Sequence, residues 1–258
     1  MTFRRLRRAM ALALVLAFTF LRLWLARLRG PLTHERRAEW LQRSARSILA
    51  SLGGSYEIEG PPPVSGLVVS NHLSYLDVLF IAAAMPCCFI SKIEVARWPI
   101  FGSLARGGAT IFLDRTSRAS ARAAAVGMAH RFRFPVLLFP EGTSTDGSRV
   151  LRFHARLFHP AVQAQAPITA AAIRYNSEEG EKERELCWYG DAPFLPHLWK
   201  VLGSRSFCAC IHFGEPKLYA DARSAASGTH AAVEKARKEL SGLERAPVGS
   251  VNRILTSS

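Results

Sequence analysis

Cysteine is scarce in this sequence, and its spacing argues against two common kinds of scaffold. Five cysteines occur among 258 residues, none in a Cys-x-x-Cys pair, and an odd number cannot pair completely within one chain. The Cys208-x-Cys210 spacing is too short for a usual zinc knuckle and matches the alternation of a β-strand. We therefore expect buried, reduced thiols in a reducing compartment, with no disulfide framework and no bound metal.

Acidic residues are nearly absent from the first 46 residues, where eleven arginines stand against Glu35 and Glu39. This excess of nine positive charges accounts for most of the formal net charge of +14. A basic arm of this kind can bind nucleic acid or an anionic membrane. The residues between the arginines favour the membrane, because Ala9 to Leu21 is an uninterrupted run of thirteen apolar or near-apolar residues. We therefore predict an anionic membrane partner and no nucleic acid.

Nothing after this run resembles the end of a signal peptide. No small-x-small cleavage site with a mature secreted start follows it, and the next residues bring more arginine. Thirteen residues fall short of the roughly 20 that a full span needs, and Arg22 interrupts the run before Leu23 to Ala26 resume it. The segment therefore either barely spans a bilayer or dips into one leaflet. Because arginines flank it on both sides, the positive-inside tendency favours the cytoplasmic face of a membrane, in a bacterium the inner membrane.

A second helix is predicted to follow, because Pro31 breaks the first helix and Thr33 can cap the next. Its apolar residues share one helical face, at positions 41, 45, 48, 49 and 52, while arginines occupy most of the remaining surface. A basic amphipathic helix beside a short apolar one indicates a two-helix membrane anchor over residues 1–52. The alternative is an ordinary helix packed on the domain that follows.

Residues 53–244 are predicted to form one α/β domain with a mostly parallel central sheet flanked by helices, because strand-like and helix-like stretches alternate. Strands are predicted at 67–70, 88–91, 110–113, 136–139, 168–175 and 207–213, and helices at 74–84, 120–132, 153–164 and 221–243 with a break at Gly228. Residues 245–258 are expected to be a loose tail.

The first segment that carries chemistry reads Asn-His-Leu-Ser-Tyr-Leu-Asp and starts where a predicted buried strand ends. Ligand sites in open α/β sheets form at the carboxyl ends of strands. A histidine there, His72, can act as a general base if a partner fixes its tautomer, and Asp77 can supply that partner. The alternative is structural, since Ser74-x-x-Asp77 is also a capping-box pattern that serves only the helix N-terminus.

Two further blocks also follow predicted strands. The segment Phe-Pro-Glu-Gly-Thr-Ser at 139–144 has a glycine that permits close backbone approach and hydroxyls that can meet an anion, although the same residues also favour a plain turn. The segment from Gly108 to Arg115 ends in a guanidinium that can grip a phosphate. The alternative for Arg115 is a surface ion pair with Asp114.

Together the three blocks Asn-His-x-Ser-Tyr-x-Asp, Ile-Phe-x-x-Arg and Phe-Pro-Glu-Gly-Thr resemble the phospholipid/glycerol acyltransferase superfamily, and within it the lysophosphatidate acyltransferases. Their order and spacing agree over residues 67–175. In that family the histidine is the base and the aspartate its partner, which implies these roles for His72 and Asp77. The family's catalytic domain is α/β and often follows membrane-associated helices.

The same resemblance implies the remaining site residues and the reaction. The family's arginine and its Glu-Gly-Thr segment bind the acceptor's phosphate, which implies that role for Arg115, Glu141, Gly142 and Thr143. The implied protein is a membrane-bound O-acyltransferase of phospholipid biosynthesis that acylates a lysophospholipid hydroxyl, converting lysophosphatidate to phosphatidate. Acyl carrier protein or acyl-CoA would be the donor and co-substrate, with no other cofactor.

Four positions depart from the pattern of many family members. Arginine or lysine often stands where this chain has Ser144, which weakens the implied phosphate clamp unless Arg149, Arg152 or Arg156 compensates. Glycine often replaces Ala109, and proline often replaces Arg152 and Ala170. The segments 188–191 and 196–199 resemble a subset that includes lyso-ornithine-lipid acyltransferases, whose acceptor has no phosphate. This acceptor is therefore the alternative.

Two other classes of function share some of these features. A thioester hydrolase could use the same histidine and aspartate to activate water, and a lipid-binding protein could keep the anchor without catalysis. The presence of both His72 and Asp77 disfavours the non-catalytic class. A covalent serine mechanism is disfavoured too, because the sequence has no Gly-x-Ser-x-Gly elbow.

Overall fold

The computed structural model describes residues 2–114, 116–177, 183–242 and 253–255. The helices are α1 Thr2–Leu28, α2 His34–Leu52, α3 Leu76–Ala84, α4 Pro99–Gly107, α5 Arg118–Ala129, α6 His159–Gln163, α7 Phe194–Gly203 and α8 Ala222–Gly242. The strands are β1 Gly54–Glu59, β2 Leu67–Ser70, β3 Cys88–Lys92, β4 Ile111–Leu113, β5 Val136–Leu138, β6 Ile168–Ser177, β7 Phe207–Phe213 and β8 Arg253–Leu255. Short 3₁₀ turns lie at Ile93–Arg97, Ala155–Phe158 and Glu183–Glu185.

The strands form one eight-stranded sheet in the order β4-β3-β5-β2-β6-β7-β1-β8. Every neighbouring pair is parallel except β6 and β7, which run antiparallel. The central strand β2 is buried on both faces, as expected of a strand covered by helices on both sides. This confirms the predicted α/β class with a mostly parallel sheet flanked by helices.

The two faces of the sheet carry separate apolar cores. Val68 and Leu137 point into a core shared with helices α2 and α3, whereas Leu67, Val69 and Leu138 point into a core shared with α5 and α8. This alternation follows from the two-residue period of a strand. The carboxyl ends of β2 and β5 are therefore fixed from both sides, and the loops that follow them start from rigid positions.

The helix α2 begins and ends as expected, but its apolar face does not lie free. Thr33 caps it by accepting a hydrogen bond from the amide of Arg36, and its apolar residues are almost fully buried in the domain core: Leu41, Ala45, Ile48, Leu49 and Leu52. The prediction that this face lies in the membrane interface is therefore wrong. Its apolar stripe fits the groove beside α3 and the sheet, so the alternative of a packed helix holds.

The helix α1 is long and apolar enough, by length and composition, to cross a membrane. It packs on α2 and α7 along one side, where the buried guanidinium of Arg8 donates to the carbonyl oxygens of Ser204 and Arg205, the latter at 2.6 Å. The other side exposes an apolar stripe: Phe3, Leu6, Met10, Leu14, Phe18, Leu21, Trp24, Leu25 and Leu28. The N-terminal segment is thus attached to the domain while one apolar face stays uncovered.

Two predictions near the C-terminus differ from the structure. Helix α8 runs through Gly228 without a break, so the predicted break is wrong. A Cβ at this position would lie 2.9 Å from the ring of Tyr219, so the glycine allows the helix and the ring to pack closely. In the predicted loose tail, Arg253–Leu255 forms β8 and pairs with β1. The tail prediction is wrong for these three residues, since the edge of β1 offers unpaired backbone groups; the rest of the tail lies outside the described residues.

Candidate active site

The side chains of His72 and Asp77 meet beyond the end of β2, as predicted. The Nδ1 atom of His72 lies 2.7 Å from Oδ2 of Asp77, and the carboxylate is fully buried while 23% of the histidine side chain is exposed. Because a carboxylate oxygen accepts, the contact places the imidazole proton on Nδ1 and leaves Nε2 as the basic nitrogen. This is the arrangement of a general base with its orienting partner.

The structural role weighed for Asp77 is present at the same time. The same Oδ2 atom accepts hydrogen bonds from the backbone amides of Leu73 at 2.6 Å and Ser74 at 3.0 Å. These amides precede α3, so the carboxylate organises the turn between β2 and the helix. Orientation of His72 and support of the turn are therefore not exclusive, since one oxygen performs both.

Two residues that the sequence analysis did not single out complete this side of the site. The hydroxyl of Tyr175, at the end of β6, donates a hydrogen bond to Oδ1 of Asp77. The side chain of Asn71 pairs with the backbone of Ile173, donating to its carbonyl at 3.1 Å and accepting from its amide at 2.9 Å. Both contacts join β6 to residues that follow β2, Asn71 in the turn and Asp77 in α3. The partners are about a hundred residues apart in the chain, so no local pattern could have revealed them.

The Glu-Gly-Thr loop follows β5 and reaches the histidine from the other side. Glu141 is buried, and its two carboxylate oxygens accept hydrogen bonds from the amides of His72 at 2.7 Å and Leu151 at 2.8 Å. Burial raises the pKa of Glu141 to about 7, against the lowering effect of these hydrogen bonds. The carboxylate thus joins the second block to the first, while its predicted contact with the acceptor stays a prediction.

The next residues of this loop differ in exposure. Gly142 has a φ of +78°, which a glycine adopts without strain, and Thr143 is exposed beside it. The amide of Thr145 donates to the carbonyl of His72 at 2.9 Å, which adds a second backbone link between the two blocks. The residues on either side of Gly142 and Thr143 are thus bonded to the backbone of His72, and the predicted contact of these two residues with the acceptor stays a prediction.

Ser144 stands where many relatives of the predicted family carry a basic residue, and its hydroxyl is engaged. It donates a hydrogen bond of 2.6 Å to the carbonyl of Trp188. The amide of Trp188 in turn donates to the carbonyl of Leu73 at 2.9 Å. The segment that begins at Trp188 is thereby joined by hydrogen bonds to both sequence blocks, the one at 71–77 and the one at 139–144.

Arg115, the fourth predicted binding residue, lies outside the described residues. The neighbouring carboxylate of Asp114 accepts hydrogen bonds from the amide and the hydroxyl of Thr116, at 2.9 Å and 2.6 Å. The arginines considered as substitutes for a basic residue at position 144 are all exposed: Arg149, Arg152 and Arg156.

Aromatic rings surround the histidine and the turn that follows it. The ring of Phe139 stacks on the imidazole of His72 with centroids 4.1 Å apart and planes 13° apart. Beyond it Tyr75 contacts a cluster of rings through edge-to-face packing: Phe101, Trp188, Phe194 and His197. This apolar wall could contact a hydrocarbon chain next to the imidazole of His72. The wall was not predicted from the sequence, because most of its members come from α4, α7 and the segment between β6 and α7.

One group of side chains in the described part of the chain has ligand atoms close enough to hold a metal ion. The thiols of Cys208 and Cys210 and the carboxylate of Glu57 lie within 4.8 Å of one another. They occupy the face of the sheet opposite Tyr175, because the residue paired with Tyr175 is Ala209. The group is thus separated from the histidine by the sheet, and the site at His72 offers no comparable set among the residues described.

Several known proteins are similar to this chain in sequence. A family model described as Acyltransferase matches residues 57–174. A lyso-ornithine lipid O-acyltransferase of Rhodobacter capsulatus is 39% identical over 178 residues, which cover 66% of this chain and 64% of that protein. A 1-acyl-sn-glycerol-3-phosphate acyltransferase of Neisseria meningitidis serogroup B is 30% identical over 173 residues, which cover 65% and 68%.

A solved structure shares the fold. The crystal structure of the 1-acyl-sn-glycerophosphate acyltransferase PlsC from Thermotoga maritima matches with a TM-score of 0.69 over 95% of this chain and 98% of that one, at 18% identity. The first of the sequence relatives is matched over just under two thirds of its own length.

Proposed function

Because the chain belongs to the acyltransferase family, we propose that it transfers a fatty acyl group from a thioester donor, acyl carrier protein or acyl-CoA, to the hydroxyl of a lysolipid. The observation that carries this proposal is the 2.7 Å contact between Nδ1 of His72 and Oδ2 of Asp77. It leaves Nε2 as the only basic ring nitrogen, on a side chain that is partly exposed beside an apolar wall. No further cofactor is proposed.

The reaction follows from this geometry. Nε2 of His72 takes the proton of the acceptor hydroxyl as that oxygen attacks the thioester carbonyl, and the buried carboxylate of Asp77 stabilises the imidazolium that forms. A backbone amide of the loop 139–145 or of the turn 72–76 meets the developing oxyanion. The tetrahedral intermediate then expels the thiolate, which takes the proton from His72, so that ester and thiol are the products.

The acceptor that we propose first is lyso-ornithine lipid, which has no phosphate. The support is Ser144, which stands where many family members carry a basic residue that could bind phosphate. Its hydroxyl instead donates a hydrogen bond to the carbonyl of Trp188, in the segment that resembles the lyso-ornithine subset. The relative named for this acceptor is also more similar than the relative named for the phosphate-bearing one. Lysophosphatidate is the second candidate, supported by the match of the Glu-Gly-Thr block and of Arg115 to the family pattern.

The test of this proposal is a matrix of donors and acceptors presented to the purified full chain in detergent. Acyl carrier protein and coenzyme A thioesters are each combined with lyso-ornithine lipid and lysophosphatidate, and products are identified by mass spectrometry. We expect a diacylated ornithine lipid in preference to phosphatidate. Free fatty acid formed at the same rate with and without acceptor would show a thioester hydrolase, and lipid binding without turnover would show a binding protein.

The membrane is the proposed place of this reaction, at its cytoplasmic face. The support is the exposed apolar stripe of α1, which continues onto α7 through the exposed side chains of Leu195 and Trp199. Since the opposite side of α1 is fixed to the domain, we propose that the helix lies in one leaflet rather than crossing it. This brings the aromatic wall beside His72 close to the lysolipid.

A further inference from the structure

Tyr175 is buried at the end of β6, where its hydroxyl reaches the carboxylate that orients the catalytic histidine. Only 1% of the residue is exposed, and the hydroxyl donates to Oδ1 of Asp77. The other carboxylate oxygen, Oδ2, accepts from Nδ1 of His72 and from two backbone amides. The two oxygens of Asp77 thus have different partners: Oδ2 contacts His72, and Oδ1 accepts from Tyr175.

We propose that Tyr175 is a positioning residue for the catalytic base, because its hydroxyl fixes the rotation of the Asp77 carboxylate so that Oδ2 faces His72. This inference rests on the proposed function, in which His72 is the base. A terminal carboxylate torsion has a broad, roughly two-fold preference, so packing alone does not hold its plane at one angle. A buried oxygen without a partner also costs free energy, which would favour rotation of the carboxylate toward other donors.

The phenol is suited to this task because it stays protonated. Burial, and next the charge of Asp77, raise the pKa of Tyr175 well above its ordinary value. A neutral phenol has one hydrogen to donate, and the carboxylate can only accept it. In this hydrogen bond the phenol is therefore the donor and the carboxylate the acceptor.

The backbone of Tyr175 is itself held in place by a largely buried ion pair between Glu183 and Arg237. Its amide donates to Oε1 of Glu183 at 2.9 Å, and Nη2 of Arg237 lies 2.9 Å from Oε2 of the same carboxylate. The side chain of Arg237 also donates to the carbonyl of Ile173, two residues before the tyrosine. This network connects α8 with the end of β6, so the phenol reaches Asp77 from a fixed position.

Packing is the alternative role of Tyr175, since its ring lies 5.7 Å from that of Phe80 within the core. A phenylalanine would fulfil that role equally well. The variant Tyr175→Phe therefore separates the two, because it keeps the ring and removes only the hydroxyl. A matched control is Tyr56→Phe, which removes a buried hydroxyl that donates to the carbonyl of Ala83 at 3.1 Å in the same core.

The first measurement is steady-state turnover of the full chain in detergent with the donor and acceptor that the wild type uses. We expect Tyr175→Phe to lower kcat by about 10- to 100-fold, as expected for loss of a hydrogen bond to a charged group. The KM of each substrate should stay within about twofold, since the phenol touches neither. An unchanged kcat, or an equal loss in Tyr56→Phe, would overturn the inference.

A double-variant cycle shows whether Tyr175 acts through Asp77. In the background Asp77→Ala there is no carboxylate to orient, so adding Tyr175→Phe should change the remaining kcat by less than about twofold. A further large loss would overturn the inference. The double variant also remains informative if Tyr175→Phe alone fails to fold, because removing both partners leaves no buried unsatisfied oxygen.

Failure of the proposed function is distinguishable from failure of this inference. If Asp77→Ala keeps the wild-type kcat, the proposed catalytic pair is wrong. If Asp77→Ala loses activity while Tyr175→Phe does not, the pair stands and only the positioning role of Tyr175 is overturned.

Discussion

The carboxylate of Glu141 accepts a hydrogen bond of 2.7 Å from the backbone amide of His72. This single contact joins two sequence blocks that lie about seventy residues apart, and it fixes the backbone of the histidine rather than its ring. Glu141, which its motif predicts to contact the substrate, therefore has a structural role in holding the backbone of His72. Its burial has a consequence for the stability of the protein.

We predict that Glu141 makes stability depend on pH in a defined window. Burial raises its folded pKa to about 7 from an ordinary value of 4.5, so the folded state binds more protons than the unfolded chain between these values. The contribution is therefore most favourable below pH 4.5 and is lost as pH rises through 7. The difference amounts to about 3 kcal/mol from the size of the shift.

The measurement is denaturant unfolding of the wild type and of Glu141→Gln between pH 4.5 and 8. The wild type should lose stability relative to the variant as pH rises to about 7, with no further change above it. A difference that stays constant across this range would show that the carboxyl titrates normally. The exposed Glu39→Gln variant is unfolded over the same pH range as the control for the substitution itself.

Asp77→Asn tests whether catalysis or support of the turn dominates at this position. An asparagine can keep an acceptor oxygen toward Leu73 and Ser74 while losing the charge that stabilises the imidazolium. We predict a fall in kcat of at least about 100-fold, as expected for loss of general-base function, with a small change in melting temperature. If stability falls while the folded protein keeps its turnover, support of the turn is the main role.

The contact between His72 and Asp77 could be predicted from the sequence, because the two residues are only five positions apart. It also predicted the strands β2 and β7 with their observed bounds, since both are short buried apolar runs. The surroundings of helix α2 were predicted wrongly, because an amphipathic stripe shows that one face is buried without showing whether lipid or protein covers it. The contact between Tyr175 and Asp77 could not be predicted from the sequence, because only the pairing of the distant strands β2 and β6 brings the hydroxyl to the carboxylate.

The exposed face of α1 is expected to hold the protein on membranes. We predict that the triple variant Met10→Gln, Leu14→Gln, Phe18→Gln binds anionic vesicles mainly through its exposed arginines. Moderate salt should therefore release this variant from sedimented vesicles, because salt screens the attraction between exposed charges. The wild type should need detergent for release. These side chains are exposed and belong to the stripe, so turnover on substrates dispersed in detergent should be unchanged.

The control for this experiment is Leu218→Gln, an exposed apolar residue outside the helix. It should sediment as the wild type does. Retention of the triple variant in the presence of salt would contradict a membrane role for this face. Reporter tags at both termini should read cytoplasmic, and a tag on the N-terminus that reads outside would instead indicate a helix that crosses the bilayer.

The most direct test of the central claim is the rate of acyl transfer by His72→Ala under single-turnover conditions, with thioester and lysolipid both bound. We predict a loss of about 10²- to 10⁴-fold relative to the wild type, the usual contribution of a general base. The matched control His130→Ala, which removes an exposed histidine at the end of α5, should transfer at the wild-type rate. A folded His72→Ala protein that forms the acylated lipid at the rate of this control would contradict the account.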